Sequence, residues 1–205
     1  MYGARISLTI GVLTTLVALI IGVTYGAIAG YFGGRVDAVM MRMIDVLYAV
    51  PTLFLVIILV SAFGNNFLLI FISIGAVEWM TLARIVRGQA LAIRQKEYME
   101  AARALGLPAS RILMQYILPN VIGPVVVYVT LLIPINIIVE SYLSFLGLGV
   151  QEPFTSWGRL IAQGAAEMEA APWLLLIPAA FLTLTMFCFN FMGDGLRDAL
   201  DPKNR

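Results

Sequence analysis

Charged residues are so sparse along this chain that the apolar runs between them define its organisation. Ile6 to Gly34 is 29 residues without a charge, Val46 to Val77 is 32, Ile112 to Val139 is 28 and Ala170 to Gly193 is 24. A helix needs about 20 mostly apolar residues to cross ~30 Å of hydrocarbon. The first, third and fourth runs therefore predict one span each. The second is too long for one, and Gly64-Asn65-Asn66 inside it is a turn signal that divides it in two. The expected spans are about 6–31, 37–63, 67–86, 117–146 and 172–193. Lipid offers no partner to backbone polar groups, so each span must satisfy its own as a helix. The predicted fold class is an all-α membrane protein with five transmembrane helices, a single transmembrane domain over 1–205. Five spans place the termini on opposite faces of the membrane.

Composition sharpens this picture. Hydrophobic residues make up 61% and charged residues 12%, against roughly 45–50% and about 25% in soluble domains. Net charge is +1, which gives no electrostatic case for nucleic acid. Histidine is absent, which removes His-ligated metals, Ser-His-Asp triads and HExxH sites together. The single cysteine, Cys188, cannot form an internal disulfide. The start is not expected to be a signal peptide, because its apolar stretch is far longer than the usual core and no small-residue cleavage site follows a short one. Lys and Arg give the orientation. Of the 13, only Arg5 and Arg159 fall on the side away from the C-terminus, so the N-terminus is expected outside and the C-terminus in the cytoplasm.

Polar residues inside spans are candidates for a translocation path. Asn136 and Glu140 are four apart and share one face of the fourth span; Asn190, Ser73 and Ser61 are weaker candidates. The alternative is that each makes an interhelical hydrogen bond worth ~0.6 kcal/mol. Glu140 is expected near the wet outer end. Three uses stay open for Glu78: snorkelling, pairing with an Arg, or lining the path. Asp45 and Arg42 are expected to pair. Pro119, Pro124 and Pro134 predict bends along the fourth span. In the external segment 147–171, Trp157 to Met168 reads as a short surface helix, there to contact an external partner, cap the pore or anchor the loop.

The longest cytoplasmic loop, 87–116, is also the most charged part of the chain. Tyr98, Ala101, Ala102 and Leu105 make a narrow apolar stripe at helical spacing. Gly106 is a helix terminator and Pro108 a stop, after which Ser110 could cap a second short helix. Small residues at 101 and 102 leave room for another protein to approach closely; a plain solvated connector is the competing reading.

Glu100-Ala101-Ala102, three residues, Gly106, nine residues, then Tyr116-Ile117-Leu118-Pro119 resembles the EAA loop of ABC importer permeases. Every spacing fits, with Tyr116 standing at the family's Ile position. Other segments look like the oligopeptide/dipeptide (peptide/nickel) branch, C-type subunit: Tyr2 to Leu8, Gly30 to Gly34, Ala83 to Gln89, Leu118 to Asn120, Leu143 to Gly149 with Ser156 to Gly158, and Gly193 to Pro202. The resemblance covers essentially the whole chain. Members of this branch carry an additional N-terminal span ahead of the Tyr-Gly-Ala-Arg stretch at which this chain begins, so a first span is expected to be missing from it.

The resemblance implies a type I importer core in a bacterial or archaeal inner membrane. Its partners would be a second permease in a heterodimer, two cytoplasmic ATPases and an external solute-binding protein. Glu100, Ala101, Ala102, Leu105, Gly106, Leu118 and Pro119 would form the ATPase contact. The chain has no G-x-x-x-x-G-K-[ST] loop, so it is expected to be no enzyme and to hold no cofactor, ATP and Mg being bound by the partner ATPases. Peptides are the leading substrate; nickel, heme, glutathione and small sugars are the alternatives. From other classes, a channel or assembly subunit without an ATPase stays open. An intramembrane protease is disfavoured, because a Ser/His pair is impossible and Asp194 lacks the first Gly of Gly-x-Gly-Asp.

Overall fold

The computed structural model describes residues 2–64 and 66–200. Asn65 of the expected turn, and Asp201, Pro202, Lys203 and Arg205 of the C-terminal segment, lie outside the described residues. No strand occurs among the described residues, which form nine α-helices and one π turn.

Helix α1 (Tyr2–Phe32) packs chiefly on α4 (Phe67–Arg94). Its buried stripe is Gly, Ala, Ser and Thr almost throughout, including Gly22, Gly26 and Gly30. A Cβ on Gly22 would stand 2.9 Å from the Trp79 carbonyl oxygen, and one on Gly30 would stand 2.8 Å from that of Arg87. Small residues let the two backbones touch, which is how helices associate where no hydrophobic force separates protein from lipid.

Gly33 and Gly34 take positive φ, 62° and 53°, and turn the chain into α2 (Gly34–Tyr48). The segment 37–63, expected as one span, is two helices. Between α2 and α3 (Thr52–Phe63) the axis bends by 81°. Pro51 is the physical reason, since it drives the residue before it out of the helical region. Charge divides the same way: α2 carries Arg35, Asp37, Arg42 and Asp45, whereas α3 has no charge. By length and apolarity four helical segments can cross a membrane, or five if the bent α2–α3 pair counts as one.

Asn66 caps α4 by accepting from the Leu68 N–H at 3.2 Å. The helix runs to Arg94, past the expected end near 86, so the loop expected over 87–116 begins as a continuation of the span. It continues as α5 (Glu97–Ala104), α6 (Ala109–Ile112) and a π turn, Leu113–Ile117. Pro108 rather than Ser110 precedes α6 as its cap. The wide turn ends just before Pro119, which has no N–H to give the carbonyl four residues back. Helix α7 (Leu118–Phe145) then passes Pro124 and Pro134 unbroken.

Helix α8 (Trp157–Ala166) is capped by the Ser156 hydroxyl, which accepts from the Arg159 N–H at 3.2 Å. It stops two residues short of the expected Met168. Helix α9 (Trp173–Leu200) packs on α7 and α8, and only Pro178 and Gly193 are buried along it. Two apolar clusters hold the bundle. One gathers Ile10, Ile44, Ile70, Ile74 and Leu143 toward α8; the other gathers Val86, Ala90, Met99, Ile117 and Val121 toward α5.

Candidate functional site

The α5 tip is built by a helix that shows two different faces. Met99 and Ala102 turn inward and join Ile112, Ile117 and Val121 in the second apolar cluster. Tyr98, Glu100 and Ala101 turn outward, and Leu105 is 81% exposed. The stripe expected from Tyr98, Ala101, Ala102 and Leu105 is therefore split, with Ala102 inside and the other three outside.

Gly106 ends the helix at φ 72°, where a side chain is strained although the space around it is open. Its N–H donates to the Arg103 carbonyl at 2.9 Å and that of Leu107 to the Ala102 carbonyl at 3.2 Å. This is the paired closure of a Schellman turn, with Leu107 folded back on the core. Tyr116 stacks on Tyr98 at 6.3 Å between ring centroids and so ties α5 to the π turn. Leu118 packs against the same cluster, and Pro119 is exposed. Glu100, Ala101, Leu105 and Gly106 thus share one exposed tip, while Ala102 and Leu118 fasten it to the bundle.

The polar residues inside the helices fall into three groups. At the α8 end, Glu140 is fully buried, where a wet position was expected. It accepts from Ser144 at 2.6 Å and Ser7 at 3.5 Å, and Ser144 touches Ser156 at 3.2 Å. The Ser7 hydroxyl also accepts from the Trp157 N–H at 3.0 Å. The carboxylate therefore joins α1, α7 and the start of α8. Asn136 is equally buried; its amide donates to Thr15 at 2.9 Å, while its own Oδ1 and the Thr14 hydroxyl are enclosed without a partner. Neither Asn136 nor Glu140 faces open space. Ser73 is buried and Ser61 exposed; Asn190 lies exposed on α9 in a 420 Å³ groove with Thr183, Phe187 and Asp194.

The second group fastens α2 to α4. Arg87 grips Asp37 with two bonds, Nη2 donating to Oδ2 at 2.6 Å and Nε donating to Oδ1. Asp37 is buried. Higher up, Arg84 pairs with Asp45 at 2.8 Å. Asp45 thus turns to α4 rather than to Arg42, its expected partner, and Arg42 instead lines an apolar groove with Val39, Met43, Val46 and Leu47. The Arg84 guanidinium lies 4.5 Å from the Tyr48 ring centroid, and the Tyr48 hydroxyl bonds Thr81.

The third group is the face of α4 turned away from α1. Glu78, Thr81, Ile85 and Gln89 share it at helical spacing. Tyr128 of α7 faces Thr81, with Glu78 and Tyr48 beside it. Below them a 510 Å³ cleft opens between α4, α7 and α9, lined by Gln89, Tyr128, Pro124 and Arg197. Tyr48, Thr81, Gln89, Tyr128 and Arg197 were not singled out from sequence. The signal was there for α4, in polar residues at 78, 81 and 89, but Tyr128 reads as an ordinary aromatic in an apolar run.

A family model of binding-protein-dependent transport system inner membrane components matches residues 22–205. The oligopeptide transport system permease protein OppC of Haemophilus influenzae is 56% identical over 203 residues, 99% of this chain and 65% of that protein. OppC of Escherichia coli K12 is 58% identical over 203 residues, 99% of this chain and 67% of the relative. The dipeptide transport system permease protein DppC of Bacillus subtilis is 48% identical over all 205 residues, 64% of its own length. The chain spans about two thirds of the length of these relatives.

Among solved structures, the inward-facing MetNI methionine ABC transporter aligns with TM-score 0.77 at 16% identity, over 97% of this chain and 94% of that one. An amino acid ABC transporter solved with histidines aligns with TM-score 0.63 at 19% identity, over 96% and 92%. These two likenesses bear on the fold, which is that of a type I ABC importer permease core. The exposed α5 tip, the apolar helices and the family match over residues 22–205 lead to one conclusion: this chain belongs to the family of binding-protein-dependent transport system inner membrane components.

Proposed function

We propose that this chain is the C-type permease subunit of an ATP-driven importer of oligopeptides, and that its α5 tip receives the motion of a cytoplasmic ATPase. The observation that carries the coupling role is the outward presentation of Tyr98, Glu100, Ala101 and Leu105 on a helix whose other face is locked into the core. A short helix with small and apolar residues outward fits a groove on a partner. Glu100 would meet a polar or basic group there, Ala101 would allow close approach, and Gly106 would set the angle of the tip. The substrate class is carried by the high identity to relatives named as oligopeptide permeases.

The partners are then a second permease subunit, two ATPases and an external solute-binding protein, with ATP and Mg held by the ATPases. The clustering of Lys and Arg supports a cytoplasmic α5 tip and C-terminus and an external α8. The test is a detergent pull-down of the ATPases by the full-length subunit co-expressed with its partner permease. Glu100→Lys and Gly106→Asp are expected to lose ATPase while inserting normally. Equal recovery from native and variant would make the loop a mere connector and overturn the coupling role. Uptake of a labelled tripeptide by the native assembly tests the substrate class.

A further inference from the structure

Helix α4 is 28 residues long, and Thr81 stands at its middle. At about 1.5 Å per residue, Glu78 and Arg84 are each within ~5 Å of that level along the axis. Two ionisable groups thus lie on a helix apolar enough to span, where a charge left facing lipid is costly and calls for water or a partner. The Arg84 and Asp45 side chains are nevertheless 45% and 54% exposed, so the chain's own bundle does not enclose them. The contrast with Asp37–Arg87, one turn further along and largely enclosed, separates a structural pair from an open one.

The surroundings indicate what covers the open pair. Helix α1 occupies the opposite face of α4. The outward surface of α9 is of a different kind, bearing Leu176, Ile177, Phe181, Leu184 and Phe187 without a charge over 173–193, as a lipid-facing surface should. The face with Glu78 and Thr81 instead meets Tyr128, which also lines the 510 Å³ cleft with Gln89 and Arg197, a volume in the range of small-ligand sites. Arg84 adjoins this face through Tyr48, whose hydroxyl bonds Thr81.

We propose that the Asp45–Arg84 pair, with Glu78, Thr81 and Tyr128, lines the water-filled conduit and binds the charged ends of a zwitterionic peptide in transit. This rests on the reading of the chain as a peptide permease. When the conduit is empty, the two ions neutralise each other. A peptide separates them: its carboxylate takes the Arg84 fork in two hydrogen bonds, and its ammonium takes Asp45. The Tyr48 ring beneath the guanidinium and the Tyr48–Thr81 hydrogen bond hold the cation toward the open side. Because the pair reforms behind the solute, it offers a passing site rather than a trap.

The test uses the full-length transporter with all its subunits in proteoliposomes, on a Cys188→Ser background, with a charged, membrane-impermeant thiosulfonate as probe. Thr81→Cys is expected to react and Phe181→Cys, on the lipid side, to stay silent. Trialanine is expected to slow the reaction of Thr81→Cys, whereas N-acetyl-trialanine amide, which has neither charge, leaves it unchanged. Arg84→Gln is expected to raise the uptake KM for trialanine about 10-fold, as for a lost hydrogen bond to a charged group. Its ATPase recovery stays native, and Asp45→Asn acts in the same direction. If Arg84→Gln assembles poorly, the exchange Asp45→Arg with Arg84→Asp keeps a pair for assembly, and KM is still expected to rise. Equal silence of Thr81→Cys and Phe181→Cys would overturn the conduit, as would reaction only in the isolated subunit, which would make this face a subunit contact. Protection by both trialanine forms alike would overturn recognition of the charged ends. A native assembly that labels at Thr81→Cys but takes up no peptide would strike the substrate class and leave the conduit in place.

Discussion

Gly26 is where the α1–α4 pair is tightest, and replacing it by alanine measures how much the fold depends on that closeness. A Cβ at this position would run into the Ala83 carbonyl oxygen, 2.9 Å from the Val86 Cβ and 3.0 Å from the Arg87 nitrogen. None of these is the loose end of a long side chain, so the strain cannot be relieved by a rotamer change. Restoring ordinary contact needs the helices to part by ~0.5–1 Å, and the glycines one turn away at 22 and 30 also sit against α4, so the gap would spread along the stripe. Overpacking costs about 1–3 kcal/mol, and a clash with backbone that no rotamer relieves belongs to the upper half of that range, so about 1 kcal/mol of better helix propensity in alanine leaves a net cost of ~1–2 kcal/mol. Gly88→Ala is the control. It lies on the same helix pair, but nothing stands within 4 Å of its Cβ, so it carries the propensity gain without the clash. The assay is the temperature at which half of the detergent-solubilised full-length protein leaves the monodisperse peak. For a domain of this size about 2–4 °C accompanies each kcal/mol, so Gly26→Ala is expected to fall by about 2–8 °C and Gly88→Ala to hold or rise. An unchanged midpoint for Gly26→Ala, or an equal fall for Gly88→Ala, would show that close approach of α1 and α4 does not hold the bundle.

Arg87→Gln leaves Asp37 buried without its cation and is expected to cost about 3–5 kcal/mol, read as loss of folded protein on solubilisation; adding Asp37→Asn should recover part of it. Glu140→Leu strands the Ser7 and Ser144 hydroxyls at about 1–3 kcal/mol each and should speed hydrogen exchange at the Trp157 amide, whereas Glu140→Gln keeps an acceptor and should change it little; equal exchange in both would deny Glu140 its role in holding α8. Gly106→Ala has room but not the φ, at about 1–2 kcal/mol for a left-handed residue; it is expected to lower ATPase recovery in part, with a native yield of folded permease, and unchanged recovery would mean the turn angle is immaterial.

What the sequence discloses depends on whether a feature is local. The apolar runs and the Glu100 to Pro119 spacing are linear patterns, and so the helices and the α5–Gly106 turn were legible. The α2–α3 break was legible too, in Pro51 and in the four charges on one side of it, but charge-free length outweighed it. Asn136 and Glu140 show the limit of choosing by residue type. A polar residue in an apolar run announces an unmet need for a partner, and Thr15, Ser7 and Ser144 meet it from other turns and helices. Which face of a helix is enclosed depends on its neighbours. Once α1 is known to cover one side of α4, the polar set at 78, 81 and 89 can be read as facing elsewhere. Arg84 and Asp45, 39 positions apart, give no local sign of pairing.

Under the proposed function, the two candidate regions are mechanically one. Met99 and Ala102 on the inner side of the α5 tip belong to the same apolar cluster as Val86 and Ala90 of α4 and Val121 and Val125 of α7, with Tyr128 packed against it. Close-packed interiors move as units rather than deform continuously. A push on Leu105 and Ala101 therefore reaches α4 and α7 through solid contact, and these helices carry Thr81, Arg84 and Tyr128. The Tyr98–Tyr116 stack adds a second link, joining the outer side of α5 to the π turn from which α7 starts. The π turn is the break in regular α-helical geometry between α6 and α7. Substituting Tyr116 with isoleucine removes the stack while keeping an apolar side chain, and is expected to leave ATPase binding intact but to weaken the coupling of hydrolysis to uptake. A Tyr116→Ile assembly with native peptide uptake per ATP would put the whole of the linkage on Met99 and Ala102.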